Sequence, residues 1–264
     1  MKIRICTDRS VLNPCPLEKF NFQVDPYVGC SHYCSYCYGL SRAETDWSAE
    51  IQYHKDLPER LKGHLSTIRP QTIYLGWETD PYQPCEVIYR QTRQVLEVLL
   101  EMGFSASILT KSDLFIRDLD LLKAMEGSAV SISLAFNESF TRQLFEADTV
   151  DNTKRVAALI RAKEAGVRTS AMICPVIPFM TNPIPLVEMV GPHTNLIWVY
   201  GLSAKNHSDR GWRNVRNILS RHFPGLEEKV EDVIFSNEHT YWIRIREKLI
   251  KAGETRDLNL KVRL

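Results

Sequence analysis

The chain of 264 residues has no apolar run approaching the roughly 20 residues needed to span a bilayer. Its opening stretch, MKIRICTDRSVLNPCP, lacks the apolar segment of a secretory signal. The expectation is a soluble, cytoplasmic protein with no membrane partner. Charge of one sign is not in excess either: 33 Lys and Arg face 32 Asp and Glu, a net charge of +1. No global basic field draws in nucleic acid, though this leaves room for a local basic patch. Low-complexity tracts, long charge blocks and solenoid-type repeats are missing. Cysteine is scarce and odd in number, seven in all, at positions 6, 15, 30, 34, 37, 85 and 174. An odd count, no signal segment and three cysteines in one short loop argue against a disulfide framework. They favour reduced thiols and a metal.

What is present is ordinary globular material, 44% hydrophobic and 25% charged, long enough to bury a sizeable core. From about residue 70 short apolar strands alternate with amphipathic helices. Strands are expected at Thr72–Trp77, Ser105–Thr110, Ala129–Phe136, Arg168–Ile173 and Asn195–Tyr200. Helices are expected at about Ile88–Met102 and Leu114–Met125, in a stretch ending at Gly166, and near Pro185–Val190. The tail from Arg213 to Gly253 reads as helices, with Trp242, Ile245 and Leu249 at helical spacing as core residues. Repeated strand–helix units imply a parallel sheet with right-handed crossovers, as a barrel or a doubly wound sheet. In either case function belongs at the carboxyl ends of the strands.

The segment DPYVGCSHYCSYCYGL places Cys30, Cys34 and Cys37 in one loop. Thiolates are the ligands iron–sulfur clusters require, and three of them leave one corner of a four-iron cluster open. The alternative metal is zinc. A closed zinc site needs four ligands, commonly two pairs, and the chain has no second Cys-x-x-Cys and no close His pair. His32 or Cys15 would have to complete it.

The Cys-x3-Cys-x-aromatic-Cys pattern, with Tyr36 as the aromatic, resembles the signature of the radical S-adenosylmethionine (SAM) superfamily. The longer PYVGCSHYCSYCY is similar to its spore photoproduct lyase-like branch, which includes proteins labelled DNA repair photolyases. ETDPYQPCE at 78–86, LTKS at 109–112 and SISL at 131–134 resemble that branch's second-, third- and fourth-strand motifs. The similarity covers roughly Asn21 to Ser203. It implies an α/β fold, a partial (β/α)6 TIM-type barrel. The radical SAM core would span 1–205, with the cluster loop at 29–39, and a helical C-terminal extension at 206–264 would pack on it. It also implies a 4Fe-4S cluster on Cys30, Cys34 and Cys37, with SAM on the open iron. Reductive cleavage would give a 5′-deoxyadenosyl radical that takes hydrogen from a substrate. A one-electron reductant of flavodoxin or ferredoxin type would be needed. The substrate class, whether nucleic acid, peptide or small molecule, stays open.

The same resemblance gives roles to strand-end residues. Tyr36 corresponds to the aromatic that touches adenine. Thr79 and Asp80 suit the SAM ammonium, and Lys111 suits its carboxylate. Ser133 corresponds to a carboxylate or ribose contact, and Val176, within Pro175–Pro178, to a backbone shelf for adenine. Taken singly, Asp80 before Pro81 reads as a turn starter, Lys111 as a solvated loop lysine and Ser133 as an ordinary strand residue. Spore photoproduct lyases carry a cysteine just before the Ser/Thr-Asp pair, which returns a hydrogen atom to product. Trp77 stands there in this chain, with Cys85 and Cys174 as possible substitutes, and no catalytic residue is singled out. A DNA-lesion lyase and a non-catalytic zinc or nucleic-acid-binding module are the alternatives.

Overall fold

The computed structural model describes residues 1–236 and 239–264. The chain forms strands β1 (Lys2–Cys6), β2 (Asn13–Pro14), β3 (Phe22–Val24), β4 (Tyr27–Val28), β5 (Glu50–His54), β6 (Thr72–Leu75), β7 (Ser105–Thr110), β8 (Ala129–Leu134), β9 (Arg168–Val176), β10 (Leu196–Gly201) and β11 (Leu260–Arg263). The helices are α1 (Leu57–Leu65), α2 (Glu86–Tyr89), α3 (Gln91–Glu101), α4 (Leu119–Ala124), α5 (Ser139–Phe145), α6 (Asn152–Glu164), α7 (Pro183–Val190), α8 (Arg210–His222), α9 (Leu226–Phe235) and α10 (Thr240–Thr255). The alternation expected from residue 70 onward is present. Positions 237 and 238, inside the tail read as helical, lie outside the described residues.

Two compact units divide the chain. The first comprises Met1–His32, Ala43–Ile132 and Thr153–Thr169. In it β5 is flanked by a parallel β1 and an antiparallel β4. A second ladder runs β2-β3-β6-β7-β8, parallel except for the β2–β3 pair. Strands covered on both faces carry near-continuous apolar residues. Ile73, Leu75, Ile108, Val130 and Ile132 are accordingly buried.

The second unit comprises Tyr33–Arg42, Ser133–Asn152 and Ser170–Leu264. There β10 lies between parallel β9 and β11. Its core gathers Phe136, Phe145 and Ile177 with Trp212, Val215 and Leu219. The last three recur at helical spacing along α8, whose first turn is capped by the Asp209 carboxylate at the Gly211 amide, 2.9 Å. In α10 Leu249 is buried, while Trp242 and Ile245 are half-buried. The chain after the helices returns as β11, a strand the helical reading of the tail omits although NLKVRL alternates apolar and polar residues.

Two departures from expectation have local causes. The helix expected over Ile88–Met102 is split, since Arg90 takes a left-handed φ of 48°. The buried Glu86 carboxylate then accepts the amides of Thr92, at 3.0 Å, and Arg93, at 3.3 Å, at the start of α3. An anion at a helix N-terminus is favoured by the orphan amides and the macrodipole. The strand expected to reach Trp77 ends at Leu75, because Gly76 turns the chain with φ of 100°. A Cβ at Gly76 would lie 2.3 Å from the Leu109 carbonyl oxygen, so only glycine lets the chain turn there against β7.

Past that turn, Asp25 holds the strand end. Its carboxylate Oδ1 accepts the amides of Glu78, at 2.9 Å, and Thr79, at 3.0 Å. Burial pushes the Asp25 carboxyl up to about 7, against the pull of those two amides. The nearby Gln23 donates to Oδ2 at 3.2 Å and its own Oε1 has no partner among the described residues. Turning that amide over lets Oε1 accept the proton of a neutral Asp25.

Replacing Gly76 by Ala is expected to cost about 2 kcal/mol or more, from left-handed strain plus the backbone clash, while Gly103→Ala, with φ of 76° and open space around it, costs about 1 kcal/mol. Urea denaturation of the two variants checks this, and equal costs would refute the close approach. The Asp25 carboxyl binds its proton more tightly folded than unfolded. Its contribution to stability is therefore present at low pH and lost as pH rises from the ordinary carboxylate range through about 7. Asp25→Asn should flatten that part of the profile, seen as a wild-type minus variant difference in urea midpoint that shrinks between acidic and neutral buffer. Parallel profiles would sink the assignment.

Candidate functional site

The first unit carries Cys30, Thr79, Asp80 and Lys111, and brings them together. Cys30 follows Gly29, and the loop around it is gripped by the fully buried Gln83. The Gln83 side chain donates to the Gly29 carbonyl at 2.9 Å and accepts the Ser31 amide at 2.8 Å. One carboxamide thus closes on the residues either side of the thiol. The Asp80 amide points at the Cys30 sulfur at 3.5 Å, a donor suited to a thiolate.

The Asp80 carboxylate is the hub of the strand ends. Its Oδ1 accepts the Thr110 hydroxyl at 2.6 Å and the Tyr82 amide at 2.9 Å. Its Oδ2 accepts the Lys111 amide at 2.7 Å and lies 3.4 Å from His32 Nε2. Burial alone would raise this carboxyl. The charge of His32 and the bonds from His32, Thr110 and Lys111 outweigh burial and hold it at about 2. Asp80 is thus a fixed negative charge at the end of β6, facing the cysteine loop through His32. Thr79 is buried, and its hydroxyl lies 3.3 Å from the Tyr27 carbonyl and 3.4 Å from Asp25 Oδ1. Its side chain is therefore tied into the same scaffold. Lys111 is half-buried at the end of β7.

Behind this face sits a buried ionic core. Glu86 and Asp118 are fully buried, and Arg117 bridges them at 2.5 Å and 2.7 Å. Arg93 adds a second contact to Asp118 at 2.9 Å. Tyr27 donates to Glu86, and Tyr82 donates to Asp118 at 3.1 Å. Two carboxylates, two guanidiniums and two phenols satisfy one another, as buried charges must. Tyr27 and Tyr82 flank the cysteine and Thr-Asp segments, so the network fixes both. Cys85, raised above as a substitute hydrogen donor, has its thiol pushed up to about 12 by burial and by Glu86. It stays protonated.

The second unit carries Cys34, Tyr36, Cys37, Ser133 and Val176. Cys34 is buried and Cys37 half-buried, and the Cys37 amide bonds the Cys34 carbonyl at 3.0 Å in a tight turn. Tyr36 donates its hydroxyl to the buried Glu146, and its ring packs against Phe136 with centroids 6.2 Å apart. Ser133 is buried on β8. Val176 ends β9 fully buried, and its carbonyl already accepts the Leu202 amide at 2.9 Å. Cys174 is half-buried on the same strand.

All seven cysteines are thiols. Among the described residues no three His, Cys, Asp or Glu side chains gather on one ion position. Ligands of a cluster need not, since each thiolate takes a different iron. The donor set suits a cluster: thiols in one tight loop, with a backbone amide aimed at the first of them. The residues that sequence reasoning missed are Gln83, Asp25, His32, Glu86 and Glu146. Gln83 and Glu86 fall inside the ETDPYQPCE motif and His32 inside the loop, so their position was a signal. Asp25 and Glu146 carried none.

Comparison with known proteins gives these features a family. The radical SAM superfamily pattern matches residues 24–183. An uncharacterized protein of Methanocaldococcus jannaschii is 27% identical over 255 residues, covering 95% of this chain and 92% of the relative. A radical SAM Nalpha-GlyT isomerase of Pseudomonas phage M6 is 26% identical over 161 residues, 58% of this chain and 33% of that protein. Among solved structures, a spore photoproduct lyase with bound AdoMet and dinucleoside spore photoproduct superposes with TM-score 0.64 at 12% identity. It covers 98% of this chain and 81% of that one. Streptococcus suis SuiB bound to S-adenosylmethionine gives 0.55 at 13%, covering 98% of this chain and 49% of its own. The likeness shows the fold, a parallel-stranded α/β architecture of the partial TIM type found in radical SAM enzymes. The chain belongs to the radical SAM superfamily.

Proposed function

We propose that this protein is a radical SAM enzyme that holds a 4Fe-4S cluster on Cys30, Cys34 and Cys37 and binds SAM beside it. The observation that carries the reading is the Asp80 amide directed at the Cys30 sulfur from the same turn whose carboxylate is held ionised. One strand end thus supplies a donor for a metal-bound thiolate and a negative charge for a ligand ammonium. When bound, cluster and SAM together supply a 5′-deoxyadenosyl radical that removes hydrogen from a substrate.

The chain's own residues bind and orient. Gln83 shapes the loop at Cys30, and Cys34 and Cys37 offer the remaining thiols. Asp80, with Thr79 in its turn, takes the SAM ammonium on the carboxylate edge facing His32. Lys111 takes the SAM carboxylate as a point charge. Ser133 holds the carboxylate or ribose, Tyr36 lies against adenine, and the backbone around Val176 forms its shelf. That shelf is apolar in character, because the Val176 carbonyl is already committed to Leu202. A flavodoxin- or ferredoxin-type protein delivers the electron. The substrate belongs to the nucleic acids, peptides or small molecules. Among the described residues no helix is long and apolar enough to cross a membrane.

Anaerobically reconstituted protein is expected to hold about four irons and to release 5′-deoxyadenosine from SAM on reduction. Cys34→Ala should lose both. Zinc without iron or sulfide in the wild type, or full SAM cleavage by Cys34→Ala, would overturn the proposal. A thymine-dimer repair assay is expected to show no turnover, since Trp77 occupies the place of the hydrogen-returning cysteine.

A further inference from the structure

The aromatic of the cysteine loop is gripped more firmly than contact with a cofactor requires. Ser35 and Tyr36 are the residues between Cys34 and Cys37. The Ser35 amide donates to the Phe145 carbonyl at the end of α5, 2.9 Å. The Ser35 carbonyl accepts from the Asn214 side chain on α8 at 3.2 Å. The Tyr36 hydroxyl donates to the carboxylate of Glu146, which is fully buried. The Tyr36 carbonyl lies so close to α8 that a Cβ at Gly211 would sit 3.0 Å from it.

Glu146 is anchored in turn. The Thr149 hydroxyl bonds its backbone carbonyl at 2.8 Å and lies 3.4 Å from its Oε2. Buried Arg142 donates to the Thr149 carbonyl at 2.8 Å and closes the turn. A buried carboxylate on a stiff turn is a poor candidate for solvation and a good one for fixing geometry. Phe145 stacks on Phe136, with centroids 4.9 Å apart, so the helix end that presents Glu146 is itself packed into the core.

We infer that Glu146 is a positioning residue for the cluster: through Tyr36 and the adjoining Phe145 carbonyl it presets the segment between Cys34 and Cys37 before any iron binds. The inference rests on the cluster reading above. It goes beyond that reading by giving a residue outside every motif control over how tightly the loop keeps its metal. Partners beyond the ligands typically change metal affinity by about 10- to 100-fold when removed.

The test follows iron loss from the anaerobically loaded full chain into a ferrous chelator, and amide hydrogen exchange of the peptide covering 33–38 in iron-free protein. Glu146→Ala and Tyr36→Phe are each expected to speed iron loss about tenfold, with Glu146→Gln, whose amide oxygen still accepts the Tyr36 hydroxyl, within about twofold of wild type. Both damaging variants should also raise exchange of the loop peptide. The double variant should be no worse than either single, because both remove one interaction. Wild-type exchange in Glu146→Ala, or additive effects in the double variant, would overturn the inference. If Glu146→Ala fails to fold, Tyr36→Phe removes a single oxygen and decides alone: unchanged loop exchange refutes the proposal. If wild type takes up no iron, the cluster reading falls, and exchange in the iron-free protein still judges the role of Glu146.

Discussion

The first half of this structure depends on one side chain closing on the residues that flank a thiol. Gln83 has no exposed surface, and its two hydrogen-bonding ends reach Gly29 and Ser31. A loop that presents a metal ligand must be rigid, yet it cannot use ordinary secondary structure, because its polar backbone has to stay available. A buried carboxamide resolves this, since it offers a donor and an acceptor at a fixed separation. Leaving either backbone group unsatisfied in the interior would cost about 1–3 kcal/mol. The price is that Gln83 must itself be held, which the ionic core around Tyr27 and Tyr82 achieves.

That core explains why the ETDPYQPCE segment is dense in polar residues that nevertheless sit inside. Glu86 serves Tyr27, the first amides of α3 and Arg117 together. Asp118 serves Tyr82, Arg93 and Arg117. An ion pair buried in this way contributes little net stability compared with apolar packing, but removing one member leaves an uncompensated charge. Its value here is geometric. The tyrosines it fixes lie next to the residues that fasten the cysteine loop and the end of β6, so charge burial is converted into placement of Asp80.

Much of this was legible in the sequence, for identifiable reasons. Parallel strands buried on both faces give unbroken apolar runs, so TIYL, SASILT and AVSISL announced themselves. The cysteine spacing named the metal chemistry because ligand identity is chemical and local. The five strands before residue 70 carried no comparable signal, two of them being only two residues long. β11 follows three helices and was absorbed into the reading of a helical tail. Asp25 was illegible because its function is to accept amides more than 50 positions away. Thr79 and Asp80 were found for their type and place, but their side chains already bond within the scaffold. Strand-end polar residues must satisfy the turn they sit in before they serve a ligand.

The cysteine motif and its surroundings therefore answer different questions. Three thiols and an aromatic at fixed spacing state which elements are bound. They do not state how the loop is shaped, because a loop of eight residues has many conformations of similar energy. In the first unit Gln83 and the Asp80 amide select one shape at Cys30. In the second, the end of α5 and the first turn of α8 select one at Ser35 and Tyr36. Neither selecting helix contributes a residue to the motif, and Gly211 matters there only because no side chain fits against the Tyr36 carbonyl. Chains can thus share the radical-generating motif at about a tenth identity elsewhere, as with the spore photoproduct lyase fold. What must persist is a buried partner at each of these places, not a particular residue, and that partner is where differences in cluster behaviour between such chains should be sought.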